Sequence, residues 1–435
     1  MPDTRIGLPQ RLFLVMLVFV LHVVLLKTVN AGFAGDELRY IDQAERLMRG
    51  ESPYPREVIK NPPLYPAFLA VLLKIGASAA DLKLASVIAT VVSVSVLLSL
   101  LARVCTAPWA IALSALYALY PPMLMLGSQV MTEPFAALLL LLTCRLLLDI
   151  RDFHRPGLAR LLVLSLVLAS LAMFKPIFGY ALAAACCIVT LLYFARAWGL
   201  RRFYRWIGTA ALLAIVLCTP YLAYVHSVTG SRFSWGTTGG EHLYWMTVSG
   251  EDVWGSWVAA DKVDDIDFLV RSGHAAEVAT AEAMSGGEAQ IYYTELGAQR
   301  LRENPQHFVR NVIANGARVL FNYPFSFRPQ SLYTYAYLLP NMTLYVPLGI
   351  SFALLWVTWR WQHPGMVCVV VFCVIYLAGN TLAGSTGRQG VALVGPWLLW
   401  LAIQARLLID AGVLVPSRAR RMRESADRST GVDAG

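Results

Sequence analysis

About ten apolar runs, each near the ~20 residues a helix needs to cross the hydrocarbon core of a bilayer, constrain this chain more than any other feature. They fall at 11–29, 82–103, 107–126, 133–150, 158–174, 176–196, 206–228, 335–357, 364–383 and 389–410. Only 14% of the 435 residues are charged and 57% are hydrophobic, whereas a soluble domain carries about 25% charged residues. Too little polar surface remains to coat a water-soluble body. In hydrocarbon a helix satisfies its own backbone, so the expected class is an all-α polytopic membrane protein.

The net charge of +9 fits basic loops beside a membrane. No basic helix or aromatic-basic sheet motif suggests a nucleic-acid partner. The seven cysteines all lie in or beside apolar runs without zinc-type spacing and read as packing residues. Arg5 and Arg11 flank the first apolar run, and Ala31 and Ala34 imitate a cleavage site. Further spans follow at once, which favours an uncleaved first helix.

Charge orients the chain. The stretch 64–77 is short and begins with Pro62, Pro63 and Pro66, which suits a re-entrant or interfacial segment. If it does not cross, Arg151, Arg155, Arg160, Arg201, Arg202, Arg205, Arg360 and the arginines at 418–423 all fall on the cytoplasmic side. Both termini are then cytoplasmic. The expected organisation is an N-terminal transmembrane module at 1–228 with an external loop at 30–81, an external segment at 229–334, C-terminal transmembrane helices at 335–410 and a basic cytoplasmic tail at 411–435. Within the external segment, Phe308, Val312, Ile313, Gly316, Val319 and Leu320 recur near a 3.6-residue period. That helix either lies on the membrane face or packs on the segment's own core.

Ionisable groups at the outer ends of spans are the functional candidates. Asp36 and Glu37 follow the first span, with Arg39 and Tyr40 close behind and Tyr65 in the Pro-rich run. The plain alternative for the acid pair is an ordinary helix start. Glu133, in Thr132-Glu133-Pro134, opens a span, where an acid also suits the helix dipole. Lys83, Lys175 and Arg388 lie outside against the charge bias; a phosphate needs such donors, whereas a lone cation there simply snorkels. His242, beside Glu241 and Tyr244, has acidic and aromatic company. No P-loop, dinucleotide fingerprint or hydrolase elbow is present.

The order of these features resembles the GT-C glycosyltransferases of the protein O-mannosyltransferase and aminoarabinose-transferase type. The matching elements are Asp36-Glu37, Pro62-Pro63-Leu64-Tyr65-Pro66, Thr132-Glu133-Pro134, Gly239-Gly240 with Leu243-Tyr244, Asn304-Pro305, and Gly387-Arg388 ahead of Pro396. Lys83 stands where many relatives have arginine, and Gln389 where they have tyrosine. The resemblance implies a GT-C fold and a plasma- or inner-membrane enzyme working on the outer face. It moves a sugar, with inversion, from a polyprenyl phosphate to a glycan, lipid or protein acceptor. Asp36 is then the base, Glu37 and Glu133 orient the acceptor or hold a cation, and Lys83, Lys175 and Arg388 meet the lipid phosphate. Arg39, Tyr40, Tyr65 and His242 complete the substrate contacts. The family is divided on divalent-cation use, and no other cofactor is implied. A polysaccharide polymerase or ligase and a lipid or solute transporter are the alternative readings.

Overall fold

The computed structural model describes residues 6–150, 157–195, 200–250, 253–258, 263–322, 332–384 and 386–413. Among them every regular element is a helix. The first part of the chain forms α1 (Leu8–Thr28), α2 (Asp36–Met48), α3 (Leu64–Lys74), α4 (Ala79–Leu101), α5 (Ala107–Ala118), α6 (Pro121–Leu126) and α7 (Glu133–Leu148). Then come α8 (Leu158–Phe174), α9 (Pro176–Phe194), α10 (Arg201–Leu217) and α11 (Thr219–Thr229). The polar segment holds α12 (Gly239–Thr247), α13 (Val263–Arg271), α14 (Ala275–Ala283), α15 (Gly286–Glu303) and α16 (Pro305–Phe321). The chain closes with α17 (Leu332–Ala353), α18 (Leu355–Thr358), α19 (Pro364–Leu382) and a 3-10 stretch, Gly387–Leu393, that runs into α20 (Val394–Asp410). Arg151, Arg155, Asp261 and the tail beyond 413 lie outside the described residues.

All ten apolar runs are built around helix. α1, α4, α9, α19 and the continuous Gly387–Asp410 are each long and apolar enough to cross a membrane. α10 with α11, and α17 with α18, form pairs bent by 54° and 57°. The remaining three, α5, α7 and α8, have 12, 16 and 17 residues. Proline explains two of the interruptions. Pro121 and Pro122 open α6 and split the run 107–126, and Pro220 lacks the N–H that would carry α10 into α11. α3 has 11 residues, about 16 Å of helix, too short for a core about 30 Å thick.

The side chains are sorted as a lipid environment requires. Leu12, Phe13, Met16, Leu17, Val20 and Val24 of α1 point outward, while Leu14, Val18 and His22 are buried. In water that outward face would cost the transfer energy of six large side chains; in lipid it costs little. Inside, Thr90 and Ser93 of α4 return their hydroxyls to the carbonyls of Ser86 and Ala89, which satisfies both hydroxyls within the helix.

The polar segment has its own small core, in which Tyr244, Trp245, Val253, Phe268, Leu269 and Tyr293 are buried together. α12 lies so close to α15 that a Cβ on Gly240 would stand 2.3 Å from the Gln290 carbonyl oxygen; that approach accounts for the glycine at 240. α16 packs through its polar residues. It buries its polar side, Asn311, Asn315 and Arg318, and leaves Val309 and Ile313 exposed. The reason is hydrogen bonding. Asn311 donates to the Met246 and Val248 carbonyls, Asn315 to those of Asn380 and Thr381, and Arg318 to that of Trp254. α16 thereby joins the polar segment to the end of α19.

Candidate active site

α2 starts directly after Gly35, whose φ of +56° suits glycine. Its first turn presents Asp36 and Glu37, where acids favour the helix dipole. Neighbours on a helix diverge by about 100°, and these two carboxylates face different partners. Asp36 accepts from Arg388 at 2.5 Å and pairs with Arg39 at 2.7 Å. Glu37 turns inward. It accepts the Val130 N–H at 2.9 Å and the Ala34 N–H at 3.3 Å, and lies 3.4 Å from the Lys83 ammonium.

Lys83 therefore departs from its expected place at a lipid phosphate. Its ammonium donates to the Asn30 and Gly32 carbonyls, each at 2.5 Å, and sits 4.3 Å from the centre of the Phe33 ring. With Glu37 as third partner, all three N–H groups are taken up, and the residue is 1% exposed. Lys83 and Glu37 form a strut under the α1–α2 connection. Sequence position put both near the end of a helix but did not tell which way they turn.

The other candidates converge. Glu133, first residue of α7, has an oxygen 3.0 Å from the Lys175 ammonium and 3.8 Å from Arg388 Nε, and its second oxygen accepts the Thr132 hydroxyl at 3.3 Å. Lys175 occupies the extended break between α8 and α9, which frees its side chain to reach across. It also donates to the Gln389 side-chain carbonyl at 2.7 Å. Tyr376 donates to the backbone carbonyl of Gln389 at 3.2 Å. Reading the sequence missed Tyr376, which sits in an apolar run and carries no local signal, and Gln389 stood out only as a departure from tyrosine.

Tyr40 is one turn beyond Asp36 on the same face of α2, its ring 4.9 Å from that of Tyr65 and edge-on to it. Tyr65 is fully buried and also packs on Phe135 and Phe174. It forms the floor beneath the carboxylates and lies out of reach of a ligand. Arg39 stands over the Tyr40 ring at 5.1 Å. His242 stays out of this ion network. It lies on α12 against the Ala383 carbonyl, five residues before Arg388, and burial lowers its imidazole to about 4.

Three cations, Arg39, Lys175 and Arg388, thus face two carboxylates, Asp36 and Glu133. Burial on its own would raise the Asp36 carboxyl, but Arg388 and then Arg39 outweigh it and hold it at about 2. A half-buried site with one positive charge in excess suits an anion, above all a phosphate that can accept from a guanidinium fork. A hard cation fits less well. Among the described residues no three His, Cys, Asp or Glu side chains gather as a ligand set, and both Asp36 oxygens and one Glu133 oxygen already serve cationic partners.

No family model matches the chain, and no curated protein matches it. Among solved structures it is similar to the crystal structure of ArnT from Cupriavidus metallidurans bound to undecaprenyl phosphate, at 13% identity over 88% of this chain and 77% of that chain, with a TM-score of 0.42.

Proposed function

We propose that the protein is a membrane glycosyltransferase of the GT-C type that moves a sugar from a polyprenyl phosphate to an envelope lipid, glycan or protein. The observation that carries this reading is the meeting of Asp36 and Arg39, Glu133, Lys175 and Arg388, from four distant parts of the chain, in one ion network with excess positive charge. In this reading the termini are cytoplasmic and the network faces the outer side of the plasma or inner membrane.

The chemistry follows from the charges. The donor phosphate competes with Asp36 for Arg388, and Lys175 stands ready beside it. Once Arg388 turns to the phosphate, Asp36 loses its strongest cationic partner and its carboxylate becomes more basic. The acceptor hydroxyl gives its proton to Asp36 as its oxygen attacks the anomeric carbon. The bond from that carbon to the phosphate oxygen breaks, the anomeric centre inverts, and the lipid phosphate leaves with the electron pair. Arg388 and Lys175 stabilise the charge that grows on it. Glu133 holds Lys175 and Arg388 in place, a positioning role.

The test is transfer of labelled sugar from a polyprenyl-phosphate donor into envelope material by membranes containing the protein. Label should move in the wild type and not in Asp36→Asn. Movement of an intact solute or lipid across proteoliposomes, without sugar transfer, overturns the proposal in favour of a transporter.

A further inference from the structure

A second polar cluster lies beside the ion network. Lys60 Nζ stands 5.3 Å from the centre of the Trp257 ring, and the Trp257 indole N–H donates to Glu241 at 2.7 Å. Among the described residues the Lys60 ammonium makes no hydrogen bond, although its side chain is ordered over an aromatic ring. Lys60, Glu241, His242 and Trp257 all keep part of their surface accessible.

The placement of this cluster is built into the backbone. Thr237 N–H donates to the Ile59 carbonyl, and the Ile59 N–H returns a bond to the Thr237 hydroxyl, both at 2.9 Å. This exchange fixes Lys60 beside the first turn of α12, which carries Glu241 and His242. One tie then reaches α2. Asn61 donates to Gln43 of α2 at 3.1 Å, and Gln43 is seven residues from Asp36, about 10 Å along the helix.

We propose, resting on the transferase reading, that Lys60, Glu241 and Trp257 form a subsite for a neutral sugar ring of the acceptor. Lys60 offers open donors and Glu241 an acceptor side by side. A simple anion would satisfy Lys60 but meet the Glu241 carboxylate, whereas a pair of hydroxyls satisfies both at once. Burial raises the Glu241 carboxyl, which further suits hydroxyl exchange. The indole supplies an aromatic surface for the C–H side of a ring.

The test is saturation-transfer NMR on the full-length protein in detergent, with methyl β-glucoside, methyl α-mannoside and chitobiose as probes and inorganic phosphate as competitor. At least one saccharide should receive saturation on its ring protons. Lys60→Met and, separately, Trp257→Leu should weaken that binding about tenfold or more, as expected for the loss of a charge-assisted bond or an aromatic contact. Lys60 is partly accessible, so its replacement leaves the fold intact, and circular dichroism checks this. Undecaprenyl-phosphate binding, measured in the same samples, should be unchanged by Lys60→Met; it reports on the transferase reading separately. Absence of signal from every saccharide, equal signal in both variants, or displacement by phosphate overturns the subsite.

Discussion

The Arg388 guanidinium meets the Asp36 carboxylate at 2.5 Å across 352 positions of sequence. The start of α2 and the stretch that leads into α20 are thus two halves of one site. The side chain that neutralises the candidate base is also the one best placed to take a phosphate.

Replacing Asp36 with Asn keeps shape and polarity but removes the proton acceptor. Sugar transfer should fall by ~10²–10⁴, while donor binding holds or tightens because Arg388 is released from its partner. Transfer rates and donor affinity measured on the same preparation separate the two effects. Wild-type transfer by a well-expressed Asn variant removes Asp36 as the base.

Arg388→Ala should weaken lipid-phosphate binding by about tenfold to a hundredfold, from ~1.5–3 kcal/mol for a charge-assisted bond. Arg388→Lys should recover only part of the loss, since an ammonium keeps the charge but not the planar fork. Titration with undecaprenyl phosphate checks both variants, and unchanged affinity in the Ala variant takes Arg388 out of the site.

Lys83 and Glu37 should behave as parts of the fold. Lys83→Met leaves the Glu37 carboxylate and the Asn30 and Gly32 carbonyls without their donor in a buried place, at a cost of ~3–5 kcal/mol. Thermal unfolding in detergent should show a large drop in Tm, partly restored by adding Glu37→Gln. A fully stable Lys83→Met protein with weakened donor binding would return Lys83 to the phosphate.

Acid should loosen the site in a defined window. Asp36 is held at about 2, below its ordinary 3.8. A depressed carboxyl contributes stability that is present above its unfolded value and lost as pH falls through its folded one. The difference in Tm between wild type and Asp36→Asn should therefore be constant from neutral pH down to about 4 and shrink from there towards about 2. A difference that changes instead between pH 5 and 8 assigns the effect to another group.

Orientation is open to labelling. In a protein freed of its seven native cysteines, a cysteine at Ser285 should react with a membrane-impermeant reagent in intact cells, and one at Ser417 should not. Ser285 caps α15, so the replacement costs about 1 kcal/mol, small enough to leave the segment folded. Reaction at Ser417 alone reverses the topology.

The sequence by itself determined the class of molecule and the candidates for its site. Spanning length is a one-dimensional property, set by hydrocarbon thickness and helix rise, so the apolar runs mark the helices without any knowledge of their neighbours. Proline is equally local, and the breaks at Pro121 and Pro220 fall where a backbone donor is missing. The charged residues at span ends were legible for the same reason: a charge at a membrane edge stands out against its surroundings.

Only the tertiary structure decided how those charges pair. Asp36 and Glu37 are neighbours in sequence, yet one joins Arg388 and the other Lys83, because a step along a helix turns the side chain by about 100°. The partners of α16 were hidden too. Its polar residues take their role only when the carbonyls of Met246, Val248, Asn380 and Thr381 are brought against them. Pairing between distant segments depends on where helices cross and which loop carbonyls lack donors, and no short stretch of sequence records either.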